Sequence, residues 1–172
     1  SYSTRSASKA CSVCGPGMFT SGNNKNTRTS CAGCPAGSSC DGSSLVARCN
    51  AGSFSEASSS RCTGCNADTS YSGGGASACT SCPKGSFTSG GSTVSRTTCT
   101  SCVTGYQCDG GSKQEPCGDD SAFSPPGASV CTTCAAGMKT SGGASTTRTQ
   151  CISCVAGYKC DGSSASTACN AG

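Results

Sequence analysis

The chain has 172 residues, of which 20 are cysteine and none is histidine, with 12 basic and 8 acidic side chains and a net charge of +4. Leu, Ile, Val and Phe together number 12. Burial at about 25 cal/mol per Å2 of apolar area cannot offset roughly 1–2 kcal/mol of backbone entropy per residue with so little to bury. Without the cysteines this would be the composition of a disordered chain, and its singly scattered charges, with no basic stripe interleaved with aromatics, argue against a nucleic-acid or anionic-membrane surface.

Residues 1–10 read as a linker that continues a preceding repeat. Cysteines at 11, 14, 31, 34, 40 and 49 then set out a first cysteine-rich repeat over 11–49, with the spacing C-x2-C-x16-C-x2-C-x5-C-x8-C. Residues 50–78 form a linker plus a short extra module, Cys62-x2-Cys65-x13-Cys79-x2-Cys82, three residues shorter than the other loops. The six-cysteine spacing returns without a slip over 79–117 and again over 131–169, separated by a linker at 118–130; residues 170–172 begin another linker. Such exact repetition marks an array of small units and not one globular domain.

The ends carry the same phase. Cys169-Asn170-Ala171-Gly172 followed by Ser1-Tyr2-Ser3 would nearly recreate the interior run Cys49-Asn50-Ala51-Gly52-Ser53-Phe54-Ser55, and Cys169 to a following Cys11 would span 14 residues, the step from Cys117 to Cys131. The expectation is one period of a longer repeat, continued covalently or by head-to-tail self-association. The linkers share an S-[FY]-S or A-F-S core and resemble loop modules lacking one cysteine pair.

No sustained 3.6-residue apolar period exists, so no substantial helix is predicted. Segments 17–20, 28–30, 85–88, 95–98 and 146–149 fit the strands of two-stranded hairpins, joined by turns rich in Gly, Asn and Ser. Asp-Gly after the fifth cysteine of each repeat (Asp41-Gly42, Asp109-Gly110, Asp161-Gly162) is a turn signal. Units of this size contact mainly their neighbours, so the predicted fold class is small and disulfide-rich: an elongated tandem array of short β-hairpin and loop modules with little helix and no large hydrophobic core.

An even cysteine count allows ten bridges and implies an oxidising, extracellular or cell-surface setting. The rival is a four-thiolate zinc site, which the CxxC pairs sixteen residues apart could serve; the fifth and sixth cysteines of each repeat would be left over. A thioredoxin-like CxxC needs a helix N-terminus and a βαβ frame, neither of which is indicated. With no histidine and eight scattered carboxylates, no acid–base constellation assembles, so no enzyme activity, metal or cofactor is expected. The in-register carboxylates Asp41, Asp109 and Asp161 read as turn caps, a calcium role lacking the oxygen-rich loop it needs. Arg28, Arg96 and Arg148, each three residues before a cysteine, read as a solvated stripe or as partners of an acidic neighbour.

Serine (35) and threonine (20) make up nearly a third of the chain. No N-x-[ST] sequon is present. Ser58, Ser59, Ser60, Thr146, Thr147, Ser163 and Ser164 are candidate O-glycosylation sites, as in Ser/Thr-rich stalks.

Cys31-x2-Cys34-Pro35-Ala36-Gly37 and Cys79-x2-Cys82-Pro83-Lys84-Gly85-Ser86-Phe87-Thr88-Ser89-Gly90 resemble the CxxCPxGxYxxxGxxxCxxC repeat of ephrin-receptor-like and tumour-necrosis-factor-receptor-like cysteine-rich modules. Similar arrays occur in protist surface antigens and extracellular fibre proteins. The pattern departs at Lys139, where an aromatic is usual, and at Gly15, Asn66 and Ala135, where proline is. The resemblance implies a ladder of small disulfide-bonded layers and the loop closures Cys14–Cys31, Cys65–Cys79, Cys82–Cys99 and Cys134–Cys151. Two roles are expected from all this: a structural unit of a fibre or surface coat clothed in glycans, or a stalk or ligand-binding ectodomain. The near-exact repetition favours the first, and no membrane-spanning segment is present in this portion.

Overall fold

The computed structural model describes residues 12–22, 27–92 and 94–170. Among them, eighteen short strands pair into nine two-stranded sheets, and the helical content is one 3-10 turn at Ser145–Thr147. In chain order the pairs are β1 (Met18–Thr20) with β2 (Cys31–Gly33), β3 (Ser38–Ser39) with β4 (Ala47–Arg48), β5 (Ser53–Phe54) with β6 (Thr63–Gly64), and β7 (Ser70–Tyr71) with β8 (Thr80–Ser81). They continue with β9 (Ser86–Ser89) and β10 (Thr98–Ser101), β11 (Tyr106–Gln107) and β12 (Glu115–Pro116), β13 (Ala122–Phe123) and β14 (Thr132–Thr133). β15 (Met138–Thr140) with β16 (Cys151–Ser153) and β17 (Tyr158–Lys159) with β18 (Thr167–Ala168) complete the series. The protein is a small disulfide-rich tandem array of hairpins.

Bridging follows one rule: from Cys14 onward, each cysteine bonds to the next along the chain. The bridges are Cys14–Cys31, Cys34–Cys40, Cys49–Cys62, Cys65–Cys79 and Cys82–Cys99, then Cys102–Cys108, Cys117–Cys131, Cys134–Cys151 and Cys154–Cys160. The four closures implied by the resemblance are among them. The segments read as linkers at 50–61 and 118–130 are loops closed by Cys49–Cys62 and Cys117–Cys131, with hairpins of their own. They are modules like the others.

The bridges also move the strands. Segments 28–30 and 95–98 were predicted as second strands, yet β2 starts at Cys31 and β10 at Thr98. The register is Thr20↔Cys31, Phe19↔Ala32 and Met18↔Gly33. Because Cys14–Cys31 draws position 31 back beside β1, the ladder begins at the closing cysteine. Ser30 serves the turn instead: its carbonyl accepts the Ser21 N–H at 2.9 Å. Segment 146–149 likewise forms no strand, since Ser145–Thr147 is a 3-10 turn and the strand lies at Cys151–Ser153.

The short Cys-x5-Cys-Asp-Gly segments are more than turns, because β3–β4, β11–β12 and β17–β18 are hairpins built on them. Within each, the Asp carboxylate accepts the N–H two residues on: Ser43 to Asp41 at 2.9 Å, Gly111 to Asp109 at 2.8 Å, Ser163 to Asp161 at 3.0 Å. The glycine between them has φ of 97°, 98° and 101° at Gly42, Gly110 and Gly162, a conformation that a side chain would strain. A Cβ on Gly42 would also meet the Cys14 carbonyl oxygen at 2.3 Å.

The chain divides into two compact units, Ser1–Ser81 with Gly90–Thr98, and Cys82–Ser89 with Cys99–Gly172. The buried apolar residues of the first are Cys14, Cys34, Cys40, Cys49 and Cys65; those of the second are Cys82, Cys102, Cys108, Cys117, Ala122 and Cys134. The core is thus almost entirely sulfur, while Val13, Leu45, Val94, Val130 and Val155 stand exposed. This is how a chain with so few large apolar residues folds: cross-links restrict the unfolded ensemble, by about 3 kcal/mol for a 17-residue loop in the chain-entropy model.

Candidate functional site

At six steps the surface by which one hairpin meets the next has the same chemistry. In the first unit the Gly17 N–H donates to the Cys40 carbonyl at 2.9 Å, Gly37 to Ser55 at 2.8 Å and Gly52 to Ser72 at 2.8 Å. In the second, Gly85 donates to Cys108 at 2.8 Å, Gly105 to Ser124 at 3.1 Å and Gly137 to Cys160 at 2.9 Å. Each acceptor belongs to the next hairpin along the chain. The hairpin after that comes closer still: a Cβ on Gly37 would lie 2.1 Å from the Gly75 carbonyl oxygen, and one on Gly105 2.2 Å from that of Ser145. Glycine is required there by contact as well as by its positive φ of 79° and 77°.

A buried hydroxyl locks three of these steps. Ser55 Oγ donates to the Ser38 carbonyl at 2.7 Å, Ser72 Oγ to Ser53 at 3.0 Å, and Ser124 Oγ to Tyr106 at 2.7 Å. All three serines are buried, and a buried hydroxyl is tolerated because it has a partner. Each follows an aromatic residue, Phe54, Tyr71 or Phe123. The S-[FY]-S and A-F-S cores of the linkers carried that signal, but nothing in a linear sequence names the carbonyl on the other side.

The arginines expected as a solvated stripe or as partners of acids divide between outcomes. Arg96 and Arg148 are buried, and their guanidinium groups pair with Asp68 at 2.8 Å and with Asp120. Arg148 also donates to the Asp119 carbonyl at 3.1 Å. Arg28 is half-buried and donates to Ser44 Oγ at 2.8 Å. Asp120 further accepts the N–H and hydroxyl of Ser164 at 3.0 Å and 2.8 Å. Those Ser164 hydrogen bonds, N–H first, hold its carboxyl below the usual range, and the Arg148 charge adds to the effect. Asp41 and Asp161 are lowered too, by the hydroxyl and N–H of Ser43 and Ser163.

The sulfur chemistry is spent in bridges. The two cysteines of a CxxC belong to successive loops, as Cys31 pairs back to Cys14 and Cys34 forward to Cys40. CxxC is a joint between modules and not a dithiol couple. Among the described residues no group of three or more His, Cys, Asp or Glu side chains is placed to hold a metal ion. Of the ten bridges expected, nine lie among the described residues, where Cys169 is free and exposed; Cys11 lies outside the described residues.

Of the candidate glycosylation sites, Ser58, Ser60, Thr146 and Thr147 are exposed, and Ser59, Ser163 and Ser164 half-buried. Ser58 has φ of 60° on a tight turn. Three hydroxyls are already engaged: Thr147 Oγ1 donates to the Ala144 carbonyl at 3.0 Å, Ser163 Oγ accepts the Ala165 N–H at 3.2 Å, and Ser164 Oγ donates to Asp120.

In the β17–β18 hairpin the residues are more exposed than in β3–β4 and β11–β12. Tyr158 and Lys159 are exposed, and Cys154 and Cys160 half-buried. A cleft of about 330 Å³ beside β17–β18 is lined by Lys159, Cys160, Asp161, Ala165 and Thr167. No helix among the described residues is long and apolar enough to cross a membrane. No family model matches the chain, and no curated protein matches it.

Proposed function

We propose that this chain is a structural extracellular repeat protein, a period of a longer fibre or cell-surface coat glycoprotein, with no enzymatic role. The observation that carries the reading is the repeated step itself. A glycine N–H recurs at three steps of each unit, joined at some of them by a buried serine hydroxyl, and a disulfide closes each hairpin loop, which is the construction of a part that adds to itself. The nine disulfides among the described residues support an oxidising setting, secreted or at the cell surface. Glycans on exposed hydroxyls such as Ser60 and Thr146 would clothe the outside. An ectodomain that merely spaces a ligand site would need one divergent module, and the repeats keep their spacing throughout.

Electron microscopy of the native material tests the reading: filaments or a regular coat are expected, and dispersed single particles overturn it. β-Elimination with mass spectrometry of the released glycans is expected to recover O-linked sugars.

A further inference from the structure

An aspartate stands directly before a glycine in each Cys-x5-Cys-Asp-Gly segment, at Asp41-Gly42, Asp109-Gly110 and Asp161-Gly162. This dipeptide has a reaction of its own. With no side chain to shield it, the glycine nitrogen attacks the neighbouring aspartate carboxyl and closes a succinimide ring, which water reopens on either side. In a folded protein the reaction depends on what holds the glycine nitrogen and the carboxyl.

In two of the copies both are held. The Gly42 N–H donates to the Met18 carbonyl and the Gly162 N–H to the Met138 carbonyl, each at 3.0 Å. Asp41 and Asp161 accept the N–H of Ser43 and Ser163 at 2.9 Å and 3.0 Å. The hydroxyls of those serines, together with the N–H groups, hold both carboxyls below the usual range and so keep them ionised. A nitrogen whose proton is engaged by a fixed carbonyl attacks poorly, and an ionised carboxylate has no hydroxyl to lose.

The second copy departs on each count. Gly111 stands where Ser43 and Ser163 do, so Asp109 accepts an N–H there at 2.8 Å but faces no hydroxyl at that position. Ser86 stands where Met18 and Met138 do, and among the described residues no hydrogen bond holds the Gly110 N–H. The turns are otherwise alike. Gly42, Gly110 and Gly162 have φ of 97°, 98° and 101°. A Cβ on them would lie 2.3, 2.5 and 2.4 Å from the carbonyl oxygens of Cys14, Cys82 and Cys134, and all three aspartates are exposed. The copies differ in what holds the reacting atoms and not in the shape of the turn.

We propose that Asp109–Gly110 is a self-modification site, where the Gly110 nitrogen attacks the Asp109 carboxyl carbon and the residue becomes isoaspartate, while the fold shields Asp41 and Asp161 from the same reaction. In the first step the new C–N bond forms on the protonated carboxyl, and its hydroxyl leaves with the amide proton as water. In the second, water adds to the main-chain carbonyl carbon of Asp109 and the bond from that carbon to the Gly110 nitrogen breaks. The main chain then runs through the former side chain, one methylene longer, with a carboxylate on Cα. One water leaves and one enters, and nothing is oxidised or reduced. The longer chain has no room against the Cys82 carbonyl and carries the Gly111 carbonyl off the Thr88 N–H, which it now accepts at 2.9 Å. The modified hairpin is loosened from the residues before it.

The test incubates the folded, disulfide-intact chain at neutral pH in heavy-oxygen water. Isoaspartate at each site is then measured in its peptides by electron-transfer mass spectrometry, the heavy oxygen recording each passage through the succinimide. Isoaspartate is expected to build up at residue 109 several times faster than at 41 or 161. In the reduced and alkylated chain the three rates are expected to converge, because the dipeptide is the same. A rate at 41 or 161 that equals or exceeds that at 109 in the folded chain overturns the inference. So does a contrast that persists unchanged in the reduced chain, which would place its cause in the local sequence. Ser43→Gly alters an exposed position and is expected to speed the reaction at Asp41 several-fold; Gly111→Ser is expected to slow it at Asp109 by a similar factor. If neither variant changes the rate at its site, the shielding account fails even where the order of the three sites is as expected.

Discussion

Two hairpins with the same cysteine spacing, β11–β12 and β17–β18, have different interiors. Cys102, Cys108 and Cys117 are 1–2% exposed, whereas Cys154 and Cys160 are half-buried and Cys169 is exposed. Gly105 is buried and Gly157 exposed, although their φ values are 77° and 86°. Local geometry is conserved, so the difference comes from what lies on top. The core of this protein is made between hairpins and not within them, as in other repeat proteins where each unit gains stability from its neighbour.

Removing a bridge from each hairpin gives the largest contrast. Cys102→Ala with Cys108→Ala and Cys154→Ala with Cys160→Ala open loops of the same separation, 6 residues, so each loses about 2 kcal/mol by loop entropy. The buried pair should lose a further 1–2 kcal/mol or so by leaving a cavity. Equal losses in urea unfolding would show that burial of the sulfur contributes nothing.

Glycine substitution comes next. Gly105→Ala and Gly157→Ala share the strain of a left-handed side chain, about 1 kcal/mol. Only Gly105→Ala drives a Cβ into the Ser145 carbonyl, at 2.2 Å, adding about 1–3 kcal/mol. Thermal unfolding should therefore place Gly105→Ala well below Gly157→Ala; the reverse order would contradict the covered-face account.

A smaller effect is expected at the arginine clusters. Asp120→Asn weakens the hydrogen bonds to Ser164 and the pairing with buried Arg148, and should lower the urea midpoint modestly. Arg28, which meets Ser44 instead, offers the contrast: Ser44→Ala should cost less, about 0.5 kcal/mol. The smallest is the pH response. Asp41, Asp120 and Asp161 have folded-state values below the ordinary 3.8. Their contribution is complete above that range and is lost as pH falls through the folded values. The unfolding midpoint should thus fall below about pH 4, and Asp120→Asn should flatten that acid limb.

Much of the fold was legible because cysteine spacing is a covalent instruction. The loops, the hairpins and the absence of helix all follow from CxxC joints and from the Gly and Asp that turn the chain between them. The strand register was not legible at 28–30 or 146–149, because it is set by where Cys14–Cys31 and Cys134–Cys151 pull the second strand. Burial of Arg96 and Arg148 was equally hidden, since Asp68 and Asp120 lie 28 residues away in sequence.

By itself, then, the sequence determined that this chain is a disulfide-held array of short repeats, because a composition so poor in apolar residues has no other route to a fold. Only the tertiary structure decided which faces are covered. Hydrogen bonds such as Gly105 to Ser124 and Ser124 to Tyr106 join residues that periodicity places on separate modules. Burial of Cys102 and Cys108 beneath the loop that carries Ser124 is visible only in three dimensions.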